Sequence, residues 1–216
     1  MHTKFANDRS VTVSLFFTSK KMTKAERTKQ FIIERAAPIF MTKEVAGTAM
    51  SDIMDATKRA KGSLYVHFEN KEELSYRVVD YNLNAFVERT IAAVSKCQTA
   101  KLKLFGILDF LSDPLNPPVA GGCPMMNFGM EADDTSPVIR DKVCKIIVDV
   151  QKFFANTVWE GIAAGEFKPE WHASTFATKA YAMIEGGILI LRVSGHNIQM
   201  NLLINILKAE IEENSR

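Results

Sequence analysis

The stretch Thr48–Phe68, TAMSDIMDATKRAKGSLYVHF, decides how the rest of the chain is read. Thr48 is a good N-cap for a short helix carrying Met50, Ile53 and Met54 at helical spacing. The polar turn Thr57-Lys58-Arg59 ends that helix, and a second short segment, about 60–68, follows it. In front lies an amphipathic helix, about 24–42, in which Phe31, Ile32, Arg35, Ala36, Ile39 and Phe40 step by three and four. Pro38 inside it either bends the helix or is tolerated by its neighbours. Two short helices joined by a tight turn, behind a third helix, describe a helix-turn-helix unit at about 48–67. Lys61, Ser63, Tyr65 and His67 all carry groups that donate hydrogen bonds to phosphates or base edges, and Gly62 lets a duplex approach closely. An ordinary helical hairpin with a basic surface has the same pattern, so these residues alone leave both readings open.

Downstream the apolar spacing stays helical. Asn70 caps a long helix from Lys71 to about Ser95, with Glu72 and Glu73 in its first turn favourable to the helix dipole. Further helices are expected at about 100–111, 124–131, 136–164, 169–193 and 198–213. The Pro- and Gly-rich stretch 114–135 reads as a loop around the second of these, and Ser136-Pro137 suits the start of the third. No alternating apolar run is long enough to build a sheet. The expected fold is all-α, about nine helices, divided into a head at 23–80 and a larger body at 81–216.

The chain has 216 residues, 47% hydrophobic and 24% charged, which excludes wholesale disorder and fibrous repeats. No run of 18 apolar residues occurs, so no membrane-spanning helix is expected. The net charge is only +2 but unevenly placed: residues 1–21 carry +3, 22–80 carry +1 and 81–216 carry −2. Positive charge therefore gathers towards the N-terminus, which weakly favours an anionic partner there. Residues 1–22 are expected to be a flexible extension, or to precede a start at Met22. The apolar run Val11–Phe17 is interrupted by Thr12 and Ser14 and lacks a small-residue cleavage site. Cys97, Cys123 and Cys144 form an odd set without a CxxC pair, a pattern that suits free thiols in a reducing cytoplasm.

Catalytic signatures are missing: there is no G-x-S-x-G, G-x-x-x-x-G-K, G-x-G-x-x-G or H-E-x-x-H. His2, His67, His172 and His196 are scattered, suggesting neither a metal site nor a catalytic pair. No enzyme activity, catalytic residue, metal or cofactor is expected.

Thr28–Leu74, with its KGSLYVHFENKEEL core at 61–74, closely resembles the DNA-binding domain of the TetR family of bacterial transcriptional regulators. The remainder resembles that family's ligand-binding and dimerising domain in helix count and layout. The resemblance implies a recognition helix at about 60–66. Lys61, Tyr65 and His67 would grip phosphates, as would Thr48 and Ser51 on the preceding helix. Gly62 and Ser63 would face the major groove, and Leu64 and Phe68 would be core. The turn departs from the family pattern, which has Gly-Val where this chain has Lys58-Arg59, and often Ser or Thr at Ala60. A left-handed Lys58 costs roughly 1 kcal/mol. Arg59 in place of a small apolar residue is expected to snorkel outward, and Ala60 removes an N-cap. Lys58 and Arg59 are read as extra phosphate-facing charge.

By the same resemblance the partners are a palindromic double-stranded DNA operator, a second copy of the chain and a small effector that releases a repressor from its operator. The expected pocket residues are Phe86, Phe105, Leu108, Phe128, Phe153, Phe154 and Trp159, suiting a small, largely apolar molecule. Gly121-Gly122-Cys123-Pro124 resembles a loop of a family subset, some of whose members sense electrophiles through its cysteine. A place before a short helix would stabilise a Cys123 thiolate; a packed structural cysteine is the other reading. The dimer interface is expected on the last two helices, from Phe176, Ala180, Met183, Ile184, Gly187, Ile190 and Leu191 on one and Leu202, Leu203, Ile206 and Leu207 on the other. The altered turn leaves one alternative from another class: a helical small-molecule-binding or enzymatic protein that has lost DNA recognition.

Overall fold

The computed structural model describes residues 22–112 and 120–216. The expected extension, apart from Met22, and the first part of the 114–135 loop lie outside the described residues. Nine helices form among the described residues: α1 Lys24–Gly47, α2 Met50–Thr57, α3 Lys61–Tyr65, α4 Lys71–Val94, α5 Ala100–Ser112, α6 Pro124–Ala132, α7 Pro137–Ala163, α8 Ala173–Ser194 and α9 Ile198–Glu213. No strand forms among them; one antiparallel bridge pairs Phe167 with Ser215. The all-α expectation holds.

Local chemistry explains most helix starts. Thr23 and Glu26 form a reciprocal capping box at α1, with Thr23 N donating to Glu26 Oε2 at 2.7 Å and Glu26 N to Thr23 Oγ1 at 3.2 Å. The Asn70 side chain accepts from Glu73 N at 2.8 Å to open α4, and the Ser136 hydroxyl caps α7 with Pro137 at its first position. α3 begins on Ala60 with no side-chain cap, as its composition implies.

Two expectations, the end of α1 and the cap of α2, need correction. Pro38 sits inside α1 without a break, and the non-helical residue comes later, at Glu44, with φ 63° and ψ 176°. The helix then resumes to Gly47, five residues beyond the expected end, because a carboxylate from α6 satisfies the amides that the kink releases. Glu131 Oε2 accepts from Val45 N at 2.7 Å and Oε1 from Ala46 N at 2.6 Å. Thr48 is not the cap of α2. Its hydroxyl turns back to donate to Glu44 O at 2.5 Å, which closes the resumed turn and buries the side chain. The cap position is Ala49, whose amide donates to Asp52 Oδ2 at 2.9 Å.

The head packs α1, α2 and α3 around Ile32, Ala36, Phe40, Ile53, Leu64 and Phe68, all buried; the last two were expected there. α4 carries Leu74 and Val78 into this core and continues past residue 80 to bury Leu83 and Phe86 in the body. One helix thus crosses the expected 80/81 boundary. In the body, α5 and α7–α9 enclose an aromatic cluster. Phe154 meets Phe176 edge-on at 6.4 Å between centroids, and Trp171 lies 4.9 Å from Phe167 and 4.8 Å from Phe176.

The loop before α6 threads a narrow gap. Gly121 and Gly122 have φ of 97° and 110°, a region that favours glycine. A Cβ on Gly121 would come within 2.7 Å of Met41 Cβ, and one on Gly122 within 2.6 Å of the Arg192 guanidinium. These glycines let the loop pass close to both α1 and α8.

Candidate nucleic-acid interface

The turn between α2 and α3 sets which side chains the head presents. Lys58 takes the left-handed conformation (φ 53°, ψ 38°), and its amide donates to Met54 O, closing α2. The roughly 1 kcal/mol expected for a non-glycine residue there is therefore incurred. Arg59 does not project outward as expected. It is half-buried, its guanidinium lies over the Phe31 ring at 5.7 Å, and its Nε is buried without a partner. The position belongs to the interface with α1, and the flat guanidinium meets that demand by stacking. Arg35 of α1 lies over the same ring at 5.4 Å.

Beyond the turn, α3 divides cleanly. Leu64 and Phe68 point inward, four residues apart. Lys61, Gly62, Tyr65 and Val66 are exposed, while Ser63 and His67 are half-buried. Lys61 Nζ lies 5.9 Å from the centre of the Tyr65 ring. Lys58 and Ser51 are also exposed. Thr48 is the expected contact that the structure moves away, since its hydroxyl is bound to Glu44 O and its side chain is 1% exposed. Val66 was missed. Its signal was the inward pair Leu64 and Phe68, which leaves the residue midway between them facing out.

Further contacts join the head to the body. Besides the Glu131 carboxylate, Asn127 Nδ2 of α6 donates to Met41 O at 3.0 Å and to Gly121 O at 3.2 Å. Asn82 of α4 donates to Ala37 O at 3.3 Å. Asp80 of α4 takes both oxygens to Lys142 of α7, at 2.7 and 2.8 Å. A cleft of about 340 Å³ opens between these elements, lined by Val45, Ala46, Lys71, Glu72, Ser75, Tyr76, Glu131, Ala132, Thr135, Ser136 and Ile139.

None of the expected pocket residues lines that cleft. Phe86, Leu108, Cys123, Phe128 and Phe154 are buried in the body and Phe105 and Phe153 pack half-buried against its core. Trp159 is 52% exposed and is not an interior residue, because α7 turns that face to solvent. Cys123 is 3% exposed, and its thiol donates to Glu185 Oε1 of α8 at 3.2 Å. Burial, then the Glu185 charge, push the thiol well above its ordinary value, outweighing the Met126 and Met125 amides that favour the thiolate. The helix-end stabilisation expected of Cys123 is present but loses. Glu185 is itself raised by burial, and Tyr181 beside it is raised by burial and then by Glu185.

The expected dimer stripe splits in two. Phe176, Ala180, Ile184, Gly187 and Leu207 are buried within the protomer. Gly187 faces its own α9: a Cβ there would meet Met200 Sδ at 2.4 Å and Leu203 Cδ1 at 3.2 Å. Met183, Leu191 and Leu203 are half-buried. Ile190, Leu202 and Ile206 are exposed, and so are Leu189, Val193 and Ile198, which the sequence pattern did not single out. Gly187 thus serves the α8–α9 contact within the protomer.

Two family models match the chain. One, bacterial regulatory proteins of the tetR family, matches residues 32–77; the other, the tetracyclin repressor-like C-terminal domain, matches 102–207. The crystal structure of a TetR-family transcriptional regulator from Cytophaga hutchinsonii is 34% identical. It matches over 91% of this chain and 98% of that one, with a TM-score of 0.85. The chain belongs to the TetR family. A second TetR regulator structure, from Chloroflexus aurantiacus, is 33% identical over 90% of this chain and 99% of its own, again with a TM-score of 0.85. The HTH-type transcriptional repressor DhaR of Mycobacterium sp. is 23% identical over 184 residues, 83% of this chain and 89% of that protein. This TetR-family protein is accordingly a DNA-binding transcriptional regulator. None of its described helices is long and apolar enough to cross a membrane.

Proposed function

We propose that this TetR-family protein is a cytoplasmic repressor that leaves a palindromic operator when a small apolar molecule enters its body. The observation that carries the regulatory part is the pair of hydrogen bonds from Val45 and Ala46 to Glu131. They fasten α6 of the body to the residues immediately ahead of α2, so a ligand that displaces α6 also displaces the head. The raised Cys123 thiol favours a ligand bound by apolar contact over an electrophile captured by a thiolate.

Lys58, Lys61 and Tyr65, with Ser51, supply the phosphate contacts, and Gly62 and Ser63 approach the groove. Two copies meet through the exposed apolar residues of α8 and α9, Ile190, Leu202 and Ile206 among them, forming a four-helix bundle that spaces two heads along the duplex. A gel shift with the DNA upstream of its own gene tests this. Specific retardation that apolar compounds relieve is expected; no retardation, with a ligand still bound, would favour a helical binding protein without DNA recognition.

A further inference from the structure

A lone exposed valine on a protein surface ordinarily needs no explanation. Val66 is different because of where it stands. It is 79% exposed immediately after Tyr65, the last residue of the helix that the family uses to enter DNA, and its amide donates to Gly62 O at 3.2 Å, one turn back. A Cβ added to Gly62 would meet nothing within 4 Å. Val66 follows Gly62 by four residues, one helical turn, so the two lie on one side of the segment. The two residues make a notch with an apolar wall and a backbone floor whose carbonyl is already bonded. Lys61 and Tyr65 stand on the neighbouring face, and Lys58 is exposed at the turn before them.

The chemistry of that notch selects its occupant. A base amino group or carbonyl facing it would lose water and find no partner. The major-groove edge of a base pair offers one apolar group, the C5 methyl of thymine. We propose that Gly62 and Val66 form a receptor for one thymine methyl in each operator half-site, flanked by phosphate contacts from the basic residues beside it. This rests on the DNA-reading role of α3 and adds the base class that α3 prefers.

The test uses the full-length protein and a duplex selected by it from a random library. Each thymine of the selected half-site is replaced in turn by deoxyuridine, which lacks only the methyl, and affinities are measured by fluorescence anisotropy. One thymine per half-site should show a loss of about fourfold, equivalent to about 0.8 kcal/mol for one buried methyl group. Val66→Ser should bind the thymine and uracil duplexes equally, with thermal unfolding unchanged because the side chain is exposed. Lys61→Ala should lower both affinities by the same factor. Undiminished thymine preference in Val66→Ser, or no thymine position sensitive to the methyl, would overturn the proposal. Failure of the wild-type protein to enrich any sequence would instead overturn the DNA-reading role of α3, and the methyl receptor with it.

Discussion

Adding one methyl group to Gly62 should move stability and DNA affinity in opposite directions. Gly62 lies in the first turn of α3, its φ is not positive, and a Cβ there has open space around it. Gly62→Ala therefore introduces no internal clash and removes conformational freedom from the unfolded chain. The gain is about 0.5–1 kcal/mol. For a chain of this size that raises the melting temperature by about 1–4 °C. In the complex, the same methyl fills the floor on which a base edge would rest. A displaced base contact costs about 1–3 kcal/mol, or about 5- to 150-fold in affinity per half-site. Thermal unfolding and fluorescence anisotropy on the same preparation read both effects. A variant that is more stable and still binds like the wild type would refute the close approach of the duplex at Gly62. A variant that unfolds earlier would refute the packing described around α3.

The dimer surface gives a paired prediction: Leu202→Glu should yield folded monomers by light scattering, whereas Gly187→Glu should lower the melting temperature sharply, because it drives a charge into Met200 and Leu203 of its own α9. Alkylation followed by mass spectrometry should label exposed Cys144 first, half-buried Cys97 next and Cys123 last, and early labelling of Cys123 would contradict its burial beside Glu185. The raised carboxyl of Glu185 makes the folded state hold its proton more tightly than the unfolded chain, whose value is near 4.5. Its contribution to stability is complete below that value and is lost as pH rises through the folded value. Glu185→Gln, which does not titrate, should therefore gain on the wild type in chemical denaturation as pH is raised from 4.5 to neutrality, and parallel curves would refute the shift.

Helix positions were legible because apolar periodicity and caps are local: Asn70, Ser136-Pro137 and the inward pair Leu64 and Phe68 can be read within a few residues of sequence. The exposed face of α3 followed from the same pair. What could not be read depended on partners distant along the chain. Thr48 looks like an N-cap until Glu44 is known to break the helix, and Glu44 breaks it where Glu131, some eighty-five residues later, receives the freed amides. Arg59 looks like a solvated cation until the Phe31 ring is found under it. Gly187 reads as facing a second copy, because sequence spacing shows that a face is apolar but not which helix covers it. Met200 and Leu203 cover it from within.

The kink in α1 bears on how far heads and bodies of such regulators can be exchanged. The head's own backbone is incomplete at Val45 and Ala46, and the missing acceptor belongs to α6; Met41 O likewise receives Asn127. A graft that joins this head to another body through the middle of α4 would leave two amides and a carbonyl without their partners unless the new α6 carried a glutamate and an asparagine at the matching places. Residues 131 and 127 therefore travel with the head in any working chimera, although they lie more than forty residues beyond the join.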